Sequence, residues 1–309
     1  MYILRNHKNS EQIILEDEHN SNEDHITWEI ESTCNLRCKY CYPTRTQRGK
    51  VTHAKIKNLI DEINSSKITN VHITGGEPTQ SEYLEFIIKS LCNKCVYITT
   101  NLVNNMESVE HLLEHYRIHS IAVSLDSIRL NVNDKLRGKT GAVLHNLKRL
   151  AAFKSSHHLE TRIRIHCVIS KLNLAYIPEL LMWAKSMNID EVSCQPISIR
   201  KDHEFYNLLH LEYHDMEDIR KILHLENSLF HSAYAISHVK LLDYYLRNEE
   251  CVISDFGELC SLFIDANGDI WNCPRKRSKQ PNLYGKPKVG ECCMIPQCMT
   301  CLKHLTVLE

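Results

Sequence analysis

Three cysteines near the start of the chain, Cys34, Cys38 and Cys41, follow the spacing C-x3-C-x2-C. Thiolates are soft ligands that favour iron–sulfur clusters, zinc and copper. Three of them on a cubane cluster leave one iron without a protein ligand. An open iron can take a substrate or cofactor, which a closed structural site cannot. A second group lies near the end of the chain. Cys260 and Cys273 flank Asn267-Gly268, and Cys292, Cys293, Cys298 and Cys301 follow. Asn-Gly between alternating apolar residues marks a hairpin. A two-residue turn there sets Leu262 opposite Cys273, so Cys260 and Cys273 become diagonal neighbours on one side. With the Cys298-x2-Cys301 pair they make four ligands, a set that an iron–sulfur cluster and a zinc ion both accept.

The chain has 14 cysteines in 309 residues. The stretch Met1 to Asn20 is polar and has no signal-peptide core. Structural disulfides are therefore not expected, and metal or redox chemistry is. No apolar run is long enough to cross a bilayer, so no membrane contact and a cytoplasmic location are expected. A net charge of -1 without a basic stripe excludes an extended nucleic-acid surface.

The elements that must position these thiols alternate along the chain. Ile26–Ile30, Val71–Thr74, Val96–Thr100, Ile121–Leu125, Arg162–Ile169 and Glu191–Ile197 read as strands. Runs with apolar residues at helical spacing separate them, such as Ile56, Leu59, Ile60 and Ile63. Strict β–α alternation predicts parallel strands with helical crossovers. That pattern suits an α/β fold built as a partial (β/α)6 TIM-like barrel, and a doubly wound sheet shares it. In both, ligands gather at the C-terminal ends of the strands. The expected organisation is an N-terminal segment over 1–25 and the partial barrel over 26–200. A helical connector over 201–250 and a Cys-rich hairpin and helix extension over 251–309 complete it.

The first cysteine motif, with the aromatic Tyr40 before its last cysteine, resembles the signature of the radical S-adenosylmethionine (SAM) superfamily. The resemblance covers Ile26 to Ile197. It implies that Cys34, Cys38 and Cys41 bind a [4Fe–4S] cluster whose fourth iron takes the amino and carboxylate groups of SAM. An electron from the cluster would cleave SAM to a 5′-deoxyadenosyl radical, which takes a hydrogen atom from a substrate C–H bond. An electron donor such as flavodoxin or ferredoxin is implied with it. The tail, with Cys260 and Cys273 spaced C-x12-C, Gly268 and then Cys298 and Cys301, resembles the auxiliary-cluster extensions called SPASM and twitch. That likeness implies an auxiliary [4Fe–4S] cluster, saturated if all four thiolates bind it.

Further resemblances follow at the strand ends. Gly75-Gly76-Glu77-Pro78 resembles the family's Gly-Gly-Glu-Pro motif, which holds the SAM amino group, and glycines let a backbone approach a ligand closely. Asn101 and Ser124 close the third and fourth strands, where family members contact SAM, and Asp126 follows at the same rim. The family often has Thr-Asn-Gly at the third strand; this chain has Thr100-Asn101-Leu102. Arg137 suits the carboxylate end of SAM, because a guanidinium binds carboxylates through two parallel bonds.

Arg164 and His166 alternate with Ile163, Ile165 and Cys167. If helices cover the isoleucine face, Arg164 and His166 face the cavity and can meet substrate; on an exposed edge strand they face solvent instead. Gln195 opposes Cys194 in the same way and can meet substrate or SAM. Cys251 is spare, and resembles in role the thiol with which some radical SAM epimerases return a hydrogen atom; a small buried residue is the plainer alternative. Cys92 and Cys95 have no partner pair and read as structural. The function expected is modification of a peptide or small natural product by epimerisation, oxidation or crosslinking. A sugar- or aminoglycoside-directed epimerase or dehydrogenase is the narrower alternative. A non-catalytic iron–sulfur or zinc scaffold is the alternative of another class, which gains nothing from an open iron.

Overall fold

The computed structural model describes residues 2–6, 12–17, 24–41, 51–197, 199, 201–231, 251–254, 262–271, 279–280 and 305–307. In chain order the strands begin with β1 (Tyr2–Asn6), β2 (Gln12–Asp17) and β3 (Asp24–Glu29). There follow α1 (His53–Ser65), β4 (Ile68–Thr74), α2 (Leu84–Ser90), β5 (Cys95–Thr100), α3 (Met106–His115) and β6 (Ser120–Ser124). Next come α4 (Leu130–Leu136), α5 (Thr140–Ser156), β7 (Arg162–Ile169), α6 (Ile177–Ser186) and β8 (Glu191–Pro196). Two helices, α7 (Tyr206–Leu209) and α8 (Met216–Phe230), lead to β9 (Cys251–Ser254), β10 (Leu262–Ile264), β11 (Ile270–Trp271), β12 (Lys279–Gln280) and β13 (Leu305–Val307).

Strands β3 to β8 lie in one sheet in their sequence order, each parallel to the next. A doubly wound sheet reverses its order at a switch point. This sheet never does, so the barrel-type winding holds and the doubly wound alternative falls. Among the described residues it does not close: β8 is one edge, and β10 pairs with β3 on the other side, followed by β11 and β12. The helices form because the expected apolar stripes exist. In α1, Ile56, Leu59, Ile60 and Ile63 are buried, and the Thr52 side chain caps the first turn by accepting from Lys55 N. In β7, Ile163, Ile165, Cys167 and Ile169 are buried while Arg164, His166 and Val168 are half-buried. The hydrophobic core thus lies between the sheet and its helices, and the polar row is left on the other face.

The structure fills in two of the expected regions and changes the hairpin. The 1–25 segment carries β1 and β2, which join β9 and β13 in a four-stranded antiparallel sheet. The 201–250 connector is helical at α7 and α8, and 232–250 lie outside the described residues. The hairpin has a different register. Ile264 pairs with Ile270 and Phe263 with Trp271, one residue out from the pairing that set Leu262 opposite Cys273.

The reason for the shifted register is the turn chemistry. Asp265 N donates to Asp269 O at 2.9 Å, and Gly268 N to Asp265 O at 2.8 Å, with Gly268 at φ +73°. This is a three-residue loop closed by a glycine bulge, not a two-residue turn. The buried Asp265 carboxylate drives it, accepting from Asn267 N, Asp269 N and Trp271 Nε1 at 2.9, 3.0 and 3.0 Å. The described pairs therefore do not carry the register from which the placing of Cys260 and Cys273 was expected. Both cysteines, with Cys292, Cys293, Cys298 and Cys301, lie outside the described residues. Among the described residues no helix is long and apolar enough to cross a membrane.

Candidate active site at the strand ends

The cysteine loop starts where β3 ends and is held by the end of β4. Ile30 N donates to Thr74 O at 2.9 Å, Gly76 N to Glu31 O at 2.6 Å and Glu77 N to Thr33 O at 2.8 Å. A Cβ on Gly75 would stand 2.5 Å from Glu31 O, and one on Gly76 would stand 2.1 Å from Thr33 O. The close approach that these glycines permit is thus to the backbone of the cysteine loop.

Glu77 is 1% exposed. Its Oε1 accepts from Thr79 N, Thr79 Oγ1 and Thr100 Oγ1 at 3.1, 2.8 and 2.6 Å. Oε2 accepts from Asn101 N at 2.7 Å. The carboxylate therefore ties the loop after β4 to the end of β5, while Pro78 is buried behind it.

Cys34, Cys38 and Cys41 are all half-buried. The Cys38 thiol is pushed up to about 11, first by burial, with Arg137 opposing and the charges of Cys41, Asp126 and Cys34 adding to the rise. The three thiols therefore feel one another, and a cationic soft centre would relieve their mutual repulsion. Two N–H groups reach the Cys34 sulfur, Leu36 N at 3.4 Å and Asn101 Nδ2 at 3.6 Å. Asn101 Nδ2 also donates to Asn35 Oδ1 at 2.7 Å. Asn35 Nδ2 is buried with no acceptor among the described residues. A buried N–H without an acceptor is costly unless something else supplies one. The donor set of three thiols on one loop, with the unsatisfied Asn35 amide N–H within the motif, fits an iron–sulfur cluster with an acceptor-bearing cofactor.

On the other side of the loop stands a buried polar node. Asp126, with no exposed surface, accepts from Arg137 Nε at 2.8 Å and Nη2 at 3.1 Å, from Val168 N at 2.9 Å, and from the Tyr40 hydroxyl. Its backbone is fixed as well, by Asn133 Oδ1 at 3.0 Å and Asn173 Nδ2 at 2.8 Å. Burial and the neighbouring Asp126 carboxylate hold the Tyr40 phenol protonated, with Arg137 opposing, and Asp126 keeps the Arg137 guanidinium charged against burial. The Arg137 fork, expected at the carboxylate end of SAM, is engaged with Asp126.

Ser124 lies opposite His166, which lies opposite Ser193, two residues before Gln195. These residues share the face turned away from the helices. Arg164 is there too, and Glu191 engages it through Nη2 and also takes Arg162 at 3.2 Å. Arg164 Nε is buried without an acceptor among the described residues. Cys251 opens β9, opposite Asn6 in the four-stranded sheet. Cys92 and Cys95 are exposed.

Residues 28–184 match the family model described as the Radical SAM superfamily. The chain belongs to the radical SAM superfamily. It is 28% identical over 145 residues to the antilisterial bacteriocin subtilosin biosynthesis protein AlbA of Bacillus subtilis, covering 45% of this chain and 32% of AlbA. It is 30% identical over 161 residues to the mycofactocin maturase MftC of Mycobacterium tuberculosis, covering 50% of this chain and 40% of MftC. The matched part thus spans less than half the length of either relative. Streptococcus suis SuiB bound to S-adenosylmethionine shares the fold, with a TM-score of 0.65, 19% identity and coverage of 84% of this chain and 63% of SuiB. SuiB has also been solved bound to its precursor peptide SuiA, with a TM-score of 0.63 at 17% identity, covering 86% of this chain and 63% of SuiB.

Sequence reasoning pointed to this loop and these strand ends by their motifs but missed Asn35, Thr100 and the Tyr40–Asp126–Arg137 node. Asn35 lies inside the motif and its type alone, a donor and acceptor between ligands, was the available signal. The node joins positions 86 and 11 residues apart, which no local spacing reveals.

Proposed function

We propose that this chain is an enzyme that cleaves S-adenosylmethionine reductively and takes a hydrogen atom from a peptide substrate. The observation that carries the proposal is the gathering of Cys34, Cys38 and Cys41 on one short loop, clamped by Gly75 and Gly76, with Asn35 Nδ2 left needing an acceptor. These three cysteines would hold a [4Fe–4S] cluster with an open iron. When bound, the cluster and SAM supply a low-potential electron and a carbon radical able to abstract hydrogen.

The chain's own residues do the rest. Gly75, Gly76, Glu77 and Pro78 hold the cysteine loop against β4 and β5. Asp126 and Arg137 fix Tyr40 beside the cofactor, and Asn101, Ser124 and Gln195 line the rim where SAM would lie. Arg164, with an N–H unsatisfied, and His166 would meet substrate, since a peptide carbonyl or carboxylate satisfies such a donor. A peptide substrate is supported by the relative named for bacteriocin biosynthesis and by the peptide-bound SuiB structure. An auxiliary [4Fe–4S] cluster on Cys260, Cys273, Cys298 and Cys301, a hydrogen-donating role for Cys251 and a flavodoxin- or ferredoxin-like donor complete the proposal.

The test is anaerobic reconstitution followed by reduction with SAM present. About eight irons per chain, the sum for two cubanes, and release of 5′-deoxyadenosine are expected. Replacing Cys34, Cys38 or Cys41 by Ala should abolish cleavage. Zinc alone, or unimpaired cleavage in any of the three variants, would overturn the proposal.

A further inference from the structure

The corner after β5 is built more tightly than its place at a strand end requires. Leu102 sits at φ +53° with no exposed surface. A leucine with positive φ is strained, and such strain persists only where surrounding bonds over-determine the backbone. Here they do. Leu102 N donates to Thr100 Oγ1 at 2.9 Å, and Val103 N to Asn101 Oδ1 at 3.0 Å. From α5, Asn146 Nδ2 donates to both Leu102 O at 2.9 Å and Val103 O at 3.0 Å. With Asn101 N on Glu77, every bond in the corner leaves the Asn101 amide one direction to point. That direction is the Cys34 sulfur, 3.6 Å away, and Asn35 Oδ1, 2.7 Å away.

An N–H aimed at a ligand sulfur draws electron density from it and favours the more negative, reduced state of a cluster. We propose that Asn101, with Asn35 as its orienting partner, is a positioning residue that raises the reduction potential of the cluster held by Cys34, Cys38 and Cys41. This deepens the function proposed above and rests on it. The redox step is the gain of one electron by the cluster from a low-potential one-electron donor, with no bond made or broken in the protein. Asn101 eases that uptake by stabilising the added charge.

The experiment is a potentiometric titration of the anaerobically reconstituted full chain, with dithionite as the donor. The cluster is followed by the paramagnetic signal that changes on adding SAM. Asn101→Asp keeps the shape and the bond from Val103 N while replacing the donor with an oxygen. Asn101→Ala removes the amide, and Asn35→Ala removes the acceptor that orients it. All three should lower the potential, so that at fixed ambient potential the reduced-to-oxidised ratio falls roughly three- to tenfold, tenfold being about 59 mV for a one-electron couple. Asn146→Ala loosens the same corner without touching the cluster. It should lower the melting temperature and shift the potential clearly less than the other three variants do. A wild-type chain that takes up no iron overturns both this inference and the proposed function. Iron-loaded Asn101→Asp or Asn35→Ala with the wild-type potential, or Asn146→Ala shifting it as far as they do, overturns this inference alone.

Discussion

Arg137 grips Asp126 through two parallel bonds, Nε to Oδ2 at 2.8 Å and Nη2 to Oδ1 at 3.1 Å, with 10% and none of the two side chains exposed. The same carboxylate holds the Tyr40 hydroxyl, and the guanidinium lies 5.3 Å from the Tyr40 ring centre. One buried ion pair therefore fixes the aromatic residue that stands between two of the proposed cluster ligands, Cys38 and Cys41.

Breaking that pair from one side leaves an uncompensated buried charge, which costs about 3–5 kcal/mol. Asp126→Asn is accordingly expected to destabilise the iron-free protein by that amount, read by urea denaturation. Arg137→Lys should recover little, since an ammonium cannot reproduce the two-point fork. A loss below about 1 kcal/mol for Asp126→Asn, the range of exposed pairs, would show that the node is not holding its surroundings.

Much of this was legible in the sequence because it is local. The apolar spacing of α1 and the alternation of β7 set element type, and the C-x3-C-x2-C loop announced its own chemistry. Strand order was not local, and only the pairing of β3 to β8 in sequence settled barrel against doubly wound sheet. The hairpin was misread because Asn267-Gly268 signals a two-residue turn, whereas the Asp265 carboxylate two residues earlier pulls three N–H groups into a longer loop. The Asp126–Arg137 pair was hidden from the sequence for a similar reason: Asp126 comes to Arg137 only after α4 has folded between them.

The departure from Thr-Asn-Gly at Leu102 gives a test with an inverted sign. At most positions glycine is worse than alanine by roughly 0.5–1 kcal/mol. At φ +53° alanine keeps the strain while glycine removes it. Both variants lose a buried leucine, which costs about 2–5 kcal/mol. Leu102→Gly should therefore be destabilising, yet less so than Leu102→Ala by about 1 kcal/mol. Thermal or chemical denaturation of the two variants side by side decides it, and the ordinary order, with glycine worse, would refute the strain.

Gly76 and Gly141 should respond to the same substitution in opposite ways. A Cβ at Gly76 meets Thr33 O at 2.1 Å, a backbone atom that cannot swing aside, so the cysteine loop must move by roughly 1 Å. Gly76→Ala is expected to cost about 3 kcal/mol or more and to abolish iron uptake on reconstitution. Nothing lies within 4 Å of a Cβ at Gly141, in the first turn of α5. Gly141→Ala should stabilise by roughly 0.5–1 kcal/mol and load iron normally. Equal iron content in the two variants would contradict the clamp.

Cys194 supplies a pH dependence with a definite sign. Its thiol lies in the core opposite Cys167, and Glu226 Oε2 accepts from its backbone N–H at 3.1 Å. A hydrogen bond with Cys167, then burial, then the charges of Cys167 and Glu226 hold it well above the ordinary thiol range. Below the unfolded thiol pKa, about 8.5, both folded and unfolded chains keep the proton and no difference arises. Above it the unfolded chain releases a proton that the folded chain retains. The unfolded state then binds fewer protons, and stability falls as pH rises toward the folded pKa. The slope for one such group is about 1.4 kcal/mol per pH unit. Cys194→Ser keeps the size and a hydroxyl donor but does not titrate in this range. Denaturation of the iron-free protein from pH 7 to 10 should show wild type losing stability faster than the variant by that slope. Parallel curves would mean that the buried thiol is as free to ionise in the folded chain as in the unfolded one.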